Sequence, residues 1–476
     1  MRKRIMSLAL CIMMLITTLV FSGCGEEGNL TTDGGGNSEW EPITIHIYGI
    51  TDDTTTEAAI LRVEEALTDI AKSKYNITID LHLFPERDYA AILFNKTQTA
   101  MNTYNTERLA TITNEEDKAL IKNINFAEVD GVRVATSMPS DVSGATLDIF
   151  LVYNPPEGSE TLDPDSEYYN AALANNGMFN VLYNARALAP LKSSIEKGTY
   201  SALKSTCYAE ALKYVERATY KTMEATENIA YDYFGLPNNY VYGSYEYIMF
   251  NKTYVDPLFS AEDKSDLAAP QIEERLPNGQ VVIKDCDALR ALKAEFAYMQ
   301  ENGELEGVDI EKTFSSYEEF DKYIKEGNQV AIAIINGDKG IPELCSRSGL
   351  FDVYMRKIST MKPADFAQSM FCISESATPR LERCLQVMML LNTDSNFRNI
   401  FQYGVKNVHY TEGRDGTIYV TGTDGDRYVM DPMYTGNMFL LKTSDKMTES
   451  EKLLAADNWL LGKLQAKEVI EKYNNG

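Results

Sequence analysis

Between Ile43 and Leu83 the hydrophobic period of the chain changes twice, and this change limits the fold more than any other feature. Ile43, Ile45 and Ile47 alternate with Thr44, His46 and Tyr48, the two-residue period of a strand. Ile60, Val63, Leu67, Ile70 and Ala71 then recur at helical spacing, with Arg62, Glu65, Asp69 and Lys72 on the opposite side. Thr54 followed by Glu57 predicts a capping box at the start of this helix. Ile77, Ile79, Leu81 and Leu83 alternate again. Strand, helix and strand at these lengths predict a βαβ unit with a right-handed crossover. Alternation, rather than a continuous apolar run, places both strands near a sheet edge.

The rest of the chain continues in mixed α/β style. A helix is predicted around Tyr89 to Tyr104, and Ala145 to Tyr153 is an apolar run broken by Asp148, as a strand buried on both faces requires. Further helices are predicted near Tyr168 to Asn175, Cys286 to Asn302 and Ser316 to Glu326. Gly235 to Tyr240 reads as a turn leading into a strand from Tyr245 to Phe250, and Gln329 to Ile335 as a second buried strand closed by Asn336-Gly337-Asp338. Thr378 is expected to cap a helix with Pro379 at its first position and Leu381, Cys384, Leu385 and Met388 on its inner face. Asp415-Gly416 and Asp424-Gly425 signal hairpins, and a last helix is predicted from Thr448 to Tyr473. The globular part of a 476-residue chain exceeds what one core usually holds, so two lobes are expected.

The N-terminus reads as an export signal. Arg2, Lys3 and Arg4 precede an apolar stretch from Ile5 to Phe21 that Ser7, Thr17 and Thr18 interrupt. A spanning helix needs about 20 apolar residues, so a removable signal fits better. Gly25 to Ser38 is small, polar and glycine-rich, the composition of a flexible tether.

Charge and cysteine usage exclude several functions. The net charge is −25, and losing Arg2, Lys3 and Arg4 with the signal takes it to −28. Such a chain is repelled by phosphate backbones, so nucleic acid is not an expected partner. Apart from Cys11 in the signal and Cys24 at its end, Cys207, Cys286, Cys345, Cys372 and Cys384 are widely spaced and lack a CxxC pair. No disulfide framework or zinc ribbon is implied. His46, His82 and His409 form no HExxH or His/Cys motif, so neither a metal nor another cofactor is expected.

Four segments carry a resemblance. Phe21-Ser22-Gly23-Cys24 resembles the lipobox of bacterial lipoproteins, with Phe21 where the family prefers Leu. Tyr233-Phe234-Gly235-Leu236-Pro237, with Phe250-Asn251-Lys252 after it, is similar to the first interlobe crossing of extracellular solute-binding lipoproteins of ABC importers, chiefly the oligosaccharide-binding kind. Gly327 to Gly337 is similar to a short strand of that family. Leu390 to Tyr410 resembles a C-terminal segment of one lipoprotein branch, with Asn407 where the branch often has glycine. Asn tolerates the left-handed backbone that this turn needs.

The resemblance implies an α/β fold of periplasmic-binding-protein type, two-lobed, with a hinge of crossing strands and an interlobe cleft. Residues 1–23 would be the signal peptide, and 24–40 a lipid-anchored tether. Residues 41–242 with 364–403 would form lobe 1, and 243–363 with 404–476 lobe 2. Lipid on Cys24 would hold the protein on the extracellular face of the cell membrane, where two acyl chains anchor stably. Such a receptor, a monomer, closes around an oligosaccharide by a hinge motion and hands it to ABC permease subunits. Ligands of such folds sit beyond strand ends. The site residues expected there are Tyr48, Asp52 and Asp53 after the first strand, Asn154 and Asn336 after the two buried strands, and Asn238, Tyr240, Tyr242 and Tyr245 at the crossing.

Two other readings compete. Ser194 to Lys197, Ser201 to Lys204 and Ser359 to Lys362 match SxxK, but no Lys-Thr-Gly partner or GxSxG accompanies them, so a secreted hydrolase is disfavoured and no catalytic residue is expected. A surface glycan- or peptide-binding adhesin, uncoupled from transport, is the other alternative. Asp163-Pro164-Asp165-Ser166-Glu167 lacks the later glycine and glutamate of a calcium loop.

Overall fold

The computed structural model describes residues 40–447, except 130, 143, 145, 154–170, 197, 208, 241–244, 259–286, 338–344, 346–348 and 359–367. The signal, Cys24, the tether, Asn154, Tyr242, Cys286 and the predicted helix after Thr448 therefore lie outside the described residues. Among the described residues, no helix is long and apolar enough to cross a membrane.

The βαβ unit forms as its periodicity requires. β1 (Ile43–Thr51), α1 (Glu57–Tyr75) and β2 (Ile77–Pro85) follow one another, and the two strands pair in parallel from Ile43↔Ile77 to Thr51↔Pro85. Val63, Leu67 and Ala71 of α1 share a core with Ile45, Ile47, Ile77 and Ile79. The cap of α1 is Thr56, whose side chain accepts from the Ala59 N–H, rather than Thr54. Thr54 is engaged two residues back, where its N–H and hydroxyl both donate to Asp52 Oδ1 at 2.8 and 2.5 Å. Asn76 closes the helix in the left-handed region with φ 55°.

After α2 (Glu86–Thr111), β3 (Ile149–Tyr153) enters the middle of the sheet with every side chain buried. β3 runs parallel to β1 but antiparallel to a late strand, Ser369–Ile373, which also pairs with the short strand Leu236–Pro237. Numbering all strands in chain order gives β4 (Glu216–Ala218), β5 (Tyr231–Tyr233), β6 (Leu236–Pro237), β7 (Tyr245–Asn251), β8 (Val308–Phe314), β9 (Gln329–Gly337), β10 (Phe351–Ile358), β11 (Ser369–Ile373), β12 (Tyr410–Glu412) and β13 (Ile418–Val420). The first sheet has the order β2-β1-β3-β11-β6, which puts β2 at an edge.

A second sheet, β10-β7-β9-β8, has its own apolar faces. Tyr247, Met249, Ala333, Ile335 and Phe351 pack with Phe314 and Phe320 in one cluster. Ile248, Phe250 and Ile332 pack with Leu292 and Phe296 of the helix Asp287–Glu301 in another. Among the described residues the protein is thus an α/β chain with two larger sheets and two two-stranded ones, and the chain passes between the larger two from β6 to β7 and from β10 to β11.

Three local expectations change. Ser374, not Thr378, caps the approach to the helix Leu381–Thr393, and Pro379 lies inside a 3₁₀ turn, Glu375–Arg380, that precedes it. Asp415-Gly416 forms the β12–β13 hairpin, with Gly416 at φ 83°. Asp424-Gly425 forms a turn without flanking strands, closed by the Asp426 N–H on the Thr423 carbonyl. The chain after Gly404 was expected in the second lobe, yet Tyr428, Met430 and Tyr434 pack into the first core. The turn that carries Tyr434 contacts β1 and β11, which local sequence pattern does not reveal.

Candidate functional site

Order and direction of the first sheet create one distinctive place. β1 joins β2 on one side through α1, and the chain then returns to pair β3 on the other side, so the crossovers diverge between the carboxyl ends of β1 and β3. A crevice outside such a switch point is where open α/β sheets take ligands. β1 and β3 pair only at Ile47↔Ile149 and Tyr48↔Phe150. Beyond that, the buried Tyr89 hydroxyl of α2 reaches the carbonyls of Tyr48 and Leu151, at 3.2 and 2.6 Å. The starts of β11 and the end of β6 lie at the same edge, because Ser369 pairs with Tyr153 and Pro237 with Met370.

A strap from Arg427 to Leu440 runs along this edge. Asp52 and Thr56 donate their N–H groups to the Val429 and Arg427 carbonyls, and the Thr51 hydroxyl adds a bond to Val429 O at 3.0 Å. The Asn238 side chain donates to Ser369 Oγ and to the Met433 carbonyl, and the Ser369 hydroxyl also donates to Met433. Tyr434 packs edge-on against Tyr153, with ring centroids 5.8 Å apart.

The strap is held from below by the helix Ser395–Tyr403. Arg398 there is 0% exposed and donates to the Asn437 carbonyl and Gln402 Oε1, each at 3.1 Å. Burial lowers its pKa to about 10. Gln402 donates to the Met430 carbonyl, and Asn437 donates to Asn392 O while accepting from Asn239 Nδ2. This gives a physical role to the Leu390–Tyr410 segment. Asn407 within it has φ 63°, the left-handed conformation that its place in the resemblance requires.

Strap and sheet edge enclose a pocket of about 780 Å³. Thr51, Asp52 and Asp53 line it from β1, Glu86 and Arg87 from the start of α2, and Tyr403, Tyr428 and Tyr434 supply aromatic wall. Arg87 pairs with Asp53. The Thr54 hydroxyl and N–H hold the Asp52 carboxyl below its ordinary range. Burial pushes Glu86 upward, opposed by a hydrogen bond from the Tyr434 hydroxyl. The hydroxyl of Tyr153 is buried with no hydrogen-bond partner among the described residues. The arrangement offers donors, acceptors and flat apolar rings around one space.

Of the residues expected from sequence, Asp52 and Asp53 line this pocket. Asn238 is 1% exposed and does not line the pocket, being tied to the strap at Met433. Tyr48 is buried outside the lining, with its ring 4.6 Å from that of His82. Tyr240 packs in the second core with Tyr247 and Met249. Tyr245 and Asn336 lie at the same end of the β7–β9 pairing, where Tyr245 is in register with Gly337 and Asn336 with Glu246. Glu86, Arg87, Tyr403, Tyr428 and Tyr434 escaped the sequence reading. For Glu86 and Arg87 a signal existed, since they open a helix directly after a β-strand.

In fold class, the chain is an α/β protein built around a five-stranded and a four-stranded sheet. No protein-family model matches the sequence, and no curated protein matches it. Among solved structures, it is similar to the N-glycan transport solute binding protein of Streptococcus pneumoniae, with 14% identity and a TM-score of 0.40 over 88% of this chain and 83% of that one. It is also similar to an HMO-binding, ABC-transporter-associated solute binding protein of Bifidobacterium longum infantis, with 11% identity and a TM-score of 0.34 over 88% and 82% of the two chains. An extracellular solute-binding protein of Staphylococcus aureus in complex with maltose shows 10% identity and a TM-score of 0.30, over 91% and 96%.

Proposed function

We propose that the protein is a membrane-anchored extracellular solute-binding receptor, which captures an oligosaccharide and delivers it to the permease of an ABC importer. The observation that carries this reading is the pocket lined by the end of β1, the start of α2 and the strap. Its volume of about 780 Å³ lies within the range of roughly 300–1,000 Å³ usual for small-molecule sites. Sugars need flat aromatic faces for their C–H surfaces and charged or amide groups for their hydroxyls. Tyr403, Tyr428 and Tyr434 supply the first kind of group, and Asp52, Asp53, Glu86 and Arg87 the second. The lipobox-like Phe21 to Cys24 and the tether behind it supply the anchor in this reading, and permease subunits are its partners.

A thermal-shift screen of the purified protein against oligosaccharide and peptide panels tests the proposal. One glycan family should raise the melting temperature with no product formed. Cleavage of the glycan would replace the receptor with a hydrolase, and stabilisation by peptides alone would sink the carbohydrate assignment.

A further inference from the structure

Two of the three histidines meet on the first sheet, at a place that no sequence motif marks. β1 and β2 pair in parallel with His46 opposite Asp80 and Tyr48 opposite His82. Residues two apart on a strand, and those opposite them on its neighbour, share a face. Register therefore brings His46, Asp80 and His82 together although 34 and 36 positions separate His46 from the others in the chain. Their ligand-capable atoms lie within 4.8 Å of one another.

The individual distances are tighter than that limit. His46 Nδ1 is 3.3 Å from His82 Nε2 and 2.8 Å from Asp80 Oδ2, while His82 Nε2 is 3.3 Å from Asp80 Oδ1. Two nitrogens on one tetrahedral zinc ion, each about 2.0–2.1 Å from it, stand roughly 3.3 Å apart. The imidazole planes are inclined by only 6° with centroids 5.6 Å apart. Together with the short nitrogen separation, this is the geometry of two rings meeting nitrogen to nitrogen in nearly one plane. An ion held by both lies beside the line joining them, on the side of the Asp80 carboxylate. Rotation of the rings by a few tens of degrees about their terminal torsions, which have broad minima, aims the lone pairs at it.

The surroundings favour a fixed yet accessible centre. The His82 side chain is 5% exposed, that of His46 23% and that of Asp80 37%. Tyr48 packs its ring against His82, and the backbone N–H of His46 is held by the buried carboxylate of Asp148 at 3.0 Å. One side of the cluster thus faces solvent, which leaves room for water or an external ligand as a fourth donor.

We propose that His46, Asp80 and His82 form a binding site for one divalent transition-metal ion, zinc foremost, which fastens the edge strand β2 to β1. Two imidazoles and one carboxylate suit zinc and its neighbours in the first transition row and suit calcium or magnesium poorly. The site is distinct from the pocket, whose lining contains none of the three residues.

The test uses the untagged full-length chain, purified in detergent, stripped with a chelator and titrated with zinc against a chromophoric competitor. Cobalt serves as the spectroscopic probe. The wild type should take up one zinc ion, show the intense visible bands of four-coordinate cobalt, and melt several degrees higher with zinc than with chelator. His46→Gln and Asp80→Asn should each weaken zinc binding by about tenfold or more and lose the cobalt bands. Both variants should melt with chelator at nearly the wild-type temperature, which separates lost ligation from lost folding. Absence of stoichiometric zinc binding by the wild type would overturn the proposal, and so would undiminished affinity in both variants.

Discussion

A side-chain carbon added to Gly404 would stand 2.2 Å from Nδ1 of His409. The glycine is what allows the imidazole to fold back against the end of the preceding helix. There, His409 Nδ1 accepts the Val405 N–H at 2.9 Å, which places the ring proton on Nε2, 3.1 Å from Asp426 Oδ1. Gly404 also has φ 79° and ψ −151°, a region open essentially to glycine alone. Gly404→Ala therefore combines backbone strain with overpacking and should destabilise the protein by about 3 kcal/mol. Chemical denaturation measures this; a loss below about 1 kcal/mol would show that His409 can move aside.

Asp148 is fully buried at the entry to β3, where it accepts the backbone N–H of His46 and pairs with Arg380. Asp148→Ala leaves a strand N–H and a partly buried guanidinium without their acceptor. The expected loss is about 3 kcal/mol. Asp148→Asn keeps an acceptor for His46 but no charge for Arg380, and should fall between the two. Equal stability of wild type and Asp148→Ala in a denaturant titration would contradict this role.

Glu375 sets a pH dependence. Burial raises its pKa from the ordinary 4.5 to about 7, outweighing the opposing pull of Arg108 and a hydrogen bond from Thr378. The folded state therefore holds the proton more tightly than the unfolded state does. This contribution to stability is fully present below about pH 4.5 and is lost as pH rises through about 7. It amounts to on the order of 3 kcal/mol across that window. Glu375→Gln should flatten this part of the stability profile, as melting temperatures from pH 4 to pH 8, roughly spanning both values, would reveal. An unchanged slope would remove Glu375 from the account.

Much of the fold was legible because it is locally encoded. The period changes from Ile43 to Leu83 gave β1, α1 and β2, and the continuous apolar run to Tyr153 gave the buried β3. The strap was not legible. Tyr428, Met430 and Tyr434 have no periodic pattern, and their strap is fixed where Thr51 and Thr55 donate to the Val429 carbonyl and Arg398 to the Pro432 carbonyl, far away in sequence. Tyr240 shows the same limit from the other side. An aromatic residue beside a crossing strand suits a sugar platform, but its ring is 2% exposed in the second core. Tyr240→Ala should accordingly destabilise the fold by about 3–5 kcal/mol, measured by denaturation, whatever it does to binding. The His46–Asp80–His82 cluster was equally hidden, since only strand register brings it together.

The pocket residues Asp53 and Arg87 allow binding to be separated from folding. Their side chains are each 54% exposed and pair at the surface, where an ion pair contributes about 0–1 kcal/mol. Asp53→Ala and Arg87→Ala should therefore leave the melting temperature nearly unchanged. Each should weaken ligand affinity by about tenfold, the effect of losing hydrogen bonds to one charged group. A large fall in melting temperature would mean that the pair supports the fold instead.

Capture of a sugar in the pocket beyond the end of β1 is tested most directly by isothermal titration calorimetry, with the glycan that stabilises the purified protein most. One binding site, an intact glycan after the titration, and affinity lowered about tenfold in Arg87→Ala are expected. No heat with any glycan, or equal affinity in wild type and both pocket variants, would contradict it.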